Sequence, residues 1–191
     1  GIDFNLKADL GYDAVADDDL THLRALSAQF SLGNNLDVKA GRQVLTWGTG
    51  DLLFLNDLFP KDFVSFFIGR DDEYLKAAGN AVKVSGYTDW VNIDFVWTPD
   101  FDSDQFITGE RLAFFSPAAG AIVSPPEPIG ARTPDDSEFA WRFFRTIDGV
   151  EYALYGYDGY FKQPNAVSED GVPTFAEMRS LGASVRGSLA S

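Results

Sequence analysis

From Ile2 to Ala14 the chain alternates without a break. Ile2, Phe4, Leu6, Ala8, Leu10, Tyr12 and Ala14 are separated by Asp3, Asn5, Lys7, Asp9, Gly11 and Asp13. A period of two places the two sets on opposite faces of a strand, whereas a helix would mix them around its axis. The run also outlasts the roughly 5–6 residues of an ordinary strand. It reaches the roughly 9–11 residues with which a tilted strand crosses a bilayer.

The same pattern returns along the chain. Leu26, Ala28, Phe30 and Leu32 alternate with small or polar residues, and Gly33-Asn34-Asn35 supplies a turn before Leu36, Val38 and Ala40. Val82 and Val84 form a further set, then Val91, Ile93, Phe95 and Trp97, then Phe139, Trp141 and Phe143. Asp148-Gly149 is a two-residue hairpin signal, followed by a tyrosine-rich strand over 150–161 and a last one through Leu181, Ala183, Val185 and Leu189. Eight strands are expected. Three connections are tight: 33–35, a turn at Asp89–Trp90, and 148–149. Four are longer: 15–21, 48–79, 99–137 and 163–176. Long and short alternate, so every long connection falls at one end of an up-and-down sheet. Transmembrane barrels have this asymmetry. The expected fold is therefore all-β, an antiparallel transmembrane β-barrel with about eight strands in this chain.

Charge follows the same division. The four long connections hold 18 acidic and 5 basic residues, a net of −13 within a chain total of −14. Such an excess disfavours nucleic acid as a partner. At a barrel rim it would bind divalent cations and, through them, anionic headgroups. With no cysteine and a single histidine, His22, thiolate and multi-histidine metal sites are excluded. No Gly-x-Ser-x-Gly elbow accompanies His22, so neither an enzyme nor a cofactor is expected.

Two connections carry their own patterns. In 48–79, Pro60 is placed to open a short helix through Phe63, Val64, Phe66 and Phe67, with Gly69 as its stop. Asp71 would cap a second turn through Asp72 and Glu73, with Gly79 ending it. Phe63, Phe66, Phe67, Asp71, Asp72 and Glu73 are the candidates for a constriction if this loop folds into a barrel mouth. Capping the rim, or packing on another subunit, is the alternative. The proline-rich 99–137 stretch suits a long surface loop or a lid.

Gly41-Arg42-Gln43-Val44-Leu45-Thr46-Trp47-Gly48 resembles a strand end of porin-like outer-membrane barrels. It is especially similar to a large uncharacterised family with an Asn and a Pro-x-Asp in the following loop, here Asn56 and Pro60-Lys61-Asp62. Leu75-Lys76 and a hairpin over 81–99 continue the resemblance, which covers about residues 36–105. It implies an outer-membrane channel for small solutes, surrounded by bacterial outer-membrane lipid and lipopolysaccharide. Such barrels end on an aromatic residue and are longer, whereas this sequence stops at Leu189-Ala190-Ser191, so a stretch of a larger barrel is expected.

On that reading Lys7, Lys39, Lys83, Asp94, Arg142 and Arg186 share the polar face and line the pore, since a Lys or Arg facing lipid at the midplane costs about 2–4 kcal/mol. Arg42 joins them only if a bulge at Gly41 reverses the alternation, which would also turn Trp47 outward into an aromatic girdle. Inward charges of this kind select ions, or pair across the lumen and stiffen the wall. A mildly cation-preferring channel is the expected function. A structural sleeve or anchor for a partner protein is the alternative.

Overall fold

The structure, a computed structural model, describes residues 1–15, 17–47, 55–106, 113–117, 119–123 and 130–188. Gly48 of the strand-end motif and Pro125, Pro126 and Pro128 of the long loop lie outside the described residues. In chain order the elements are β1 (Ile2–Asp13), β2 (Asp18–Leu32), β3 (Leu36–Val44), α1 (Phe63–Phe67), a 3-10 turn (Asp72–Leu75), β4 (Ala78–Gly86), β5 (Asn92–Thr98), β6 (Phe114–Ser116) and β7 (Ala121–Val123). They continue with β8 (Glu138–Ile147), β9 (Val150–Tyr160), β10 (Ala166–Val167), β11 (Pro173–Thr174) and β12 (Glu177–Arg186).

Eight strands pair antiparallel in the order β1-β2-β3-β4-β5-β8-β9-β12. These are the eight expected from alternation. The other four form two small hairpins inside the long connections. Among the described residues the sheet does not close on itself. β1 and β12 are its edges, each leaving a row of backbone donors and acceptors without a partner strand.

Each antiparallel step reverses direction, so the tight turns 33–35, 87–91 and 148–149 share one end of the sheet. The long connections 45–77, 99–137 and 161–176 share the other. Asp148 and Gly149, both at positive φ (50° and 79°), form the two-residue turn that suits the right-handed twist of the strands. One long connection is corrected. The turn after β1 spans only 14–17, because Asp19 and Thr21 belong to β2 and pair with Tyr12 and Leu10. An acidic run looks like a loop when its cross-strand partners are not in view.

Two features near the strand-end motif also differ from expectation. β3 pairs without a register shift on both sides, so Arg42 lies opposite Leu26 and Asn80, in phase with Val38 and Ala40. Gly41 is at φ 114°, and a Cβ there would run into the Leu26 carbonyl oxygen. It absorbs local twist without inserting a residue. The bulge sits instead in β2, where Lys7 pairs with Ala25 and Ala8 with Leu23, leaving Arg24 as the extra residue. With alternation intact, Gln43, Leu45 and Trp47 keep one face, and Trp47 is buried against Phe59 and Tyr155 (ring centroids 5.0 and 5.5 Å). It does not join an outer girdle.

The two faces of the sheet are inverted relative to a soluble protein. One carries Phe4, Leu6, Leu10, Leu26, Phe95, Trp97, Phe139, Phe143, Leu154, Leu181 and Val185, all exposed, with Phe4 and Leu181 above 80%. The other buries Ser27, Gln43, Ser85, Asp94, Glu138 and Arg142, with Gln43 and Glu138 only 2% exposed. Half-exposed side chains of this size each show on the order of 100 Å². Their sum exceeds the few hundred Å² of apolar patch that a monomer in water normally leaves open.

Candidate functional site: the charged face

Lys7, Lys39, Lys83, Asp94, Arg142 and Arg186 share the charged face, as alternation predicts. The charges are largely paired along the wall. Asp94 accepts from Lys83 at 3.3 Å and from the Ser85 hydroxyl at 2.6 Å. Glu151 accepts from Arg142 at 2.6 Å and lies 3.7 Å from Arg186, while the Arg142 guanidinium stacks 4.1 Å over Phe144. Arg42 is set apart. Its Nε donates to the Leu23 carbonyl at 2.8 Å, a group beside the β2 bulge.

The 45–77 connection folds onto this same face. Asp62 caps α1, accepting from Ser65 N at 2.8 Å and from the Ser65 hydroxyl at 2.6 Å, so the helix opens after Asp62 and not at Pro60. The following 3-10 turn spans Asp72–Leu75 without a side-chain cap from Asp71, and Gly79 lies inside β4. Buried Lys61 donates to Asp57 at 3.0 Å and to the Phe59 carbonyl. Burial lowers the Lys61 ammonium below its ordinary pKa, against the opposing pull of Asp57.

The candidate constriction residues separate into groups. Phe63 stacks on Phe106 at 5.3 Å, whereas Phe66 and Phe67 meet edge to face and remain exposed. Glu73 turns to β1 and accepts from Lys7 at 3.1 Å. Beside it Arg70 pairs with Asp9 at 3.1 Å and covers the Tyr74 ring at 3.5 Å. Asp71 and Asp72 stay exposed.

A second buried cluster joins the 99–137 and 161–176 connections to the sheet. Lys162 donates to Glu138 at 2.5 Å, and the other Glu138 oxygen accepts from the Tyr157 hydroxyl at 2.6 Å and from Tyr160 N at 3.2 Å. Burial holds the Lys162 ammonium below its usual range, although Glu138 works against this. Nothing in the sequence marked Lys162, which sits in a segment without periodicity. Nearby, Asp104 accepts from Lys61 N at 2.8 Å, and burial raises both Asp102 and Asp104 above the ordinary 3.8.

These contacts thin the acidic rim. Asp57, Asp62 and Asp104 turn into the structure, and Asp51, Glu110 and Glu127 lie outside the described residues. By contrast Asp170, at the tip of 161–176, is held near about 2 by Ser168 and Arg132 and stays charged down to strongly acid pH.

The raised Asp102 gives a pH prediction. The folded state holds its proton more tightly than the unfolded chain, so its favourable contribution is complete below pH 3.8 and is lost as pH rises through the raised value. Asp102→Asn is expected to raise the melting temperature at pH 7.5, with the gain shrinking toward pH 4. A variant less stable than the parent at pH 7.5 would show that the attraction of Arg42 and Lys162 outweighs burial.

Among the described residues no group of three or more His, Cys, Asp or Glu side chains is arranged to hold a metal ion. Comparison with family models, curated proteins and solved structures returns no match for this chain.

Proposed function

We propose that the chain forms part of the wall of a transmembrane β-barrel in a bacterial outer membrane, and that the barrel passes small solutes by diffusion. The observation that carries this reading is the inversion of the sheet, apolar outward and charged inward. In water such a face aggregates, whereas in a bilayer it is the solvated surface. Ile2 to Leu10 spans about 27 Å of strand at roughly 3.4 Å per residue, comparable with the ~25 Å apolar band of such barrels. Closure would come from further strands pairing with the β1 and β12 edges.

A structural sleeve is the second reading. It is favoured by the 45–77 connection, which lies across the inner face and would narrow or plug a lumen. Exposed Asp71 and Asp72, with the rest of the acidic end, favour cations at the mouth, and the paired inner charges keep the preference mild.

The intact protein should stay with the membrane through carbonate extraction. Cysteine at Glu169 should react with an impermeant thiol reagent on whole cells, while cysteine at Asn34, at the opposite end, should not. Recovery as a soluble monomer without detergent would overturn the barrel. In planar bilayers a weak cation preference is expected at low salt, reduced in Asp71→Asn/Asp72→Asn. A stable insertion without conductance would select the sleeve.

A further inference from the structure

Arg24, the bulge residue of β2, is 3% exposed and only partly satisfied. Its Nη2 donates to the Glu73 carbonyl at 2.8 Å, and its guanidinium lies 4.5 Å from the Tyr74 ring centroid. Nε and Nη1 are buried without an acceptor, and so is the Ser27 hydroxyl on the same strand. Buried charged donors without partners are costly. Their persistence in one place points to something that completes them.

Arg24 is one of the residues lining a recess of about 290 Å³ between β1–β3 and the 45–77 connection. Its charged lining is Lys7, Arg24, Lys39, Lys76 and Glu73, a net of +3 in a chain whose total is −14. The single acid is already engaged by Lys7. Lys39 lies directly opposite Lys83 in the β3–β4 ladder, a like-charge pairing that destabilises a sheet. Lys83 is relieved by Asp94, but no described residue pairs with Lys39. Water in the recess would leave this excess of positive charge without a counter-charge. An oxyanion offsets it, and a guanidinium offers two parallel N–H groups that match a carboxylate or phosphate.

We propose that this recess is a binding site for a small oxyanion, a carboxylate or a phosphate, held by Arg24 and Lys39 with Lys76 closing over it from the connection. The volume lies just below the roughly 300–1,000 Å³ of ordinary ligand pockets, which suits a small anion. The site does not depend on an open pore or on membrane insertion, because strand pairing and the packed connection alone create it.

Equilibrium dialysis of the intact protein, in detergent or in buffer if it proves soluble, against radiolabelled succinate and inorganic phosphate tests the proposal. At least one of the two should bind saturably, one per chain, and which one binds identifies the headgroup. Arg24→Gln should weaken binding by at least about tenfold, and Lys39→Gln by a few-fold. The Lys39 ammonium has no hydrogen-bond or ion-pair partner among the described residues, and the ladder pairing of Lys39 is made by its backbone, so its variant keeps the test informative if Arg24→Gln fails to fold. Absence of saturable binding of both anions, unchanged binding in Lys39→Gln, or unchanged binding in a folded Arg24→Gln would each overturn the site. Retained binding in a protein that refuses to enter membranes would overturn the barrel alone.

Discussion

Glu138→Ala is expected to cost about 3–5 kcal/mol of folding stability, or to prevent folding, because it leaves the Lys162 ammonium buried without its counter-charge. Both side chains are below 10% exposed, and the same carboxylate also accepts from Tyr157 and Tyr160. One substitution therefore releases the 161–176 connection from the sheet. Glu138→Gln keeps an acceptor for Tyr157 and Tyr160 and should cost less. Its stability should rise with pH, since Lys162 already lies below its ordinary 10.5 and loses the carboxylate that raises it. The unfolded chain then binds the proton more strongly, and stability increases as pH climbs through the folded value. Denaturant unfolding of both variants, followed by tryptophan fluorescence at pH 7 and 9.5, is the measurement. A cost below about 1 kcal/mol for the alanine variant would mean that water reaches Lys162, as for a surface pair.

Leu154→Arg tests the outward face. Leu154 sits mid-strand in β9 between Phe143 and Ala183, with its side chain exposed. In water an added arginine there would be neutral or would improve solubility. At the middle of a lipid-facing band it should cost about 2–4 kcal/mol and reduce assembly into the membrane. Ser184→Arg, on the opposite face of neighbouring β12, should be tolerated far better if that face meets water. Quantifying membrane-inserted protein for the two variants separates the cases. Equal assembly of both variants would deny the outward face its lipid.

Face and strand were legible in the sequence because both are local. A strand turns each successive side chain over, so Phe139, Trp141 and Phe143 are bound to one side and Glu138, Ala140 and Arg142 to the other wherever the strand ends up. Turns are equally local: Asp148-Gly149 tolerates positive φ at both positions and stops a strand without reference to the rest of the chain. Together these two signals determined eight strands, the pairing of neighbours, and the common end of the long connections.

The tertiary structure decided whatever depends on residues distant in the chain. Asp19 is a strand residue because Tyr12 pairs with it, not because its neighbours favour a strand. The β2 bulge falls at Arg24 and not at Gly41, where it turns that side chain under Glu73 and Tyr74, about fifty residues away in sequence. Trp47 is buried because Phe59 and Tyr155 arrive to cover the face it shares with Gln43 and Leu45. Lys162 became a structural ion only when its loop met Glu138. Periodicity encodes which way a side chain points relative to its own backbone. It carries no information about what fills the space in front of it, and that depends on loop closures whose partners the local sequence does not specify.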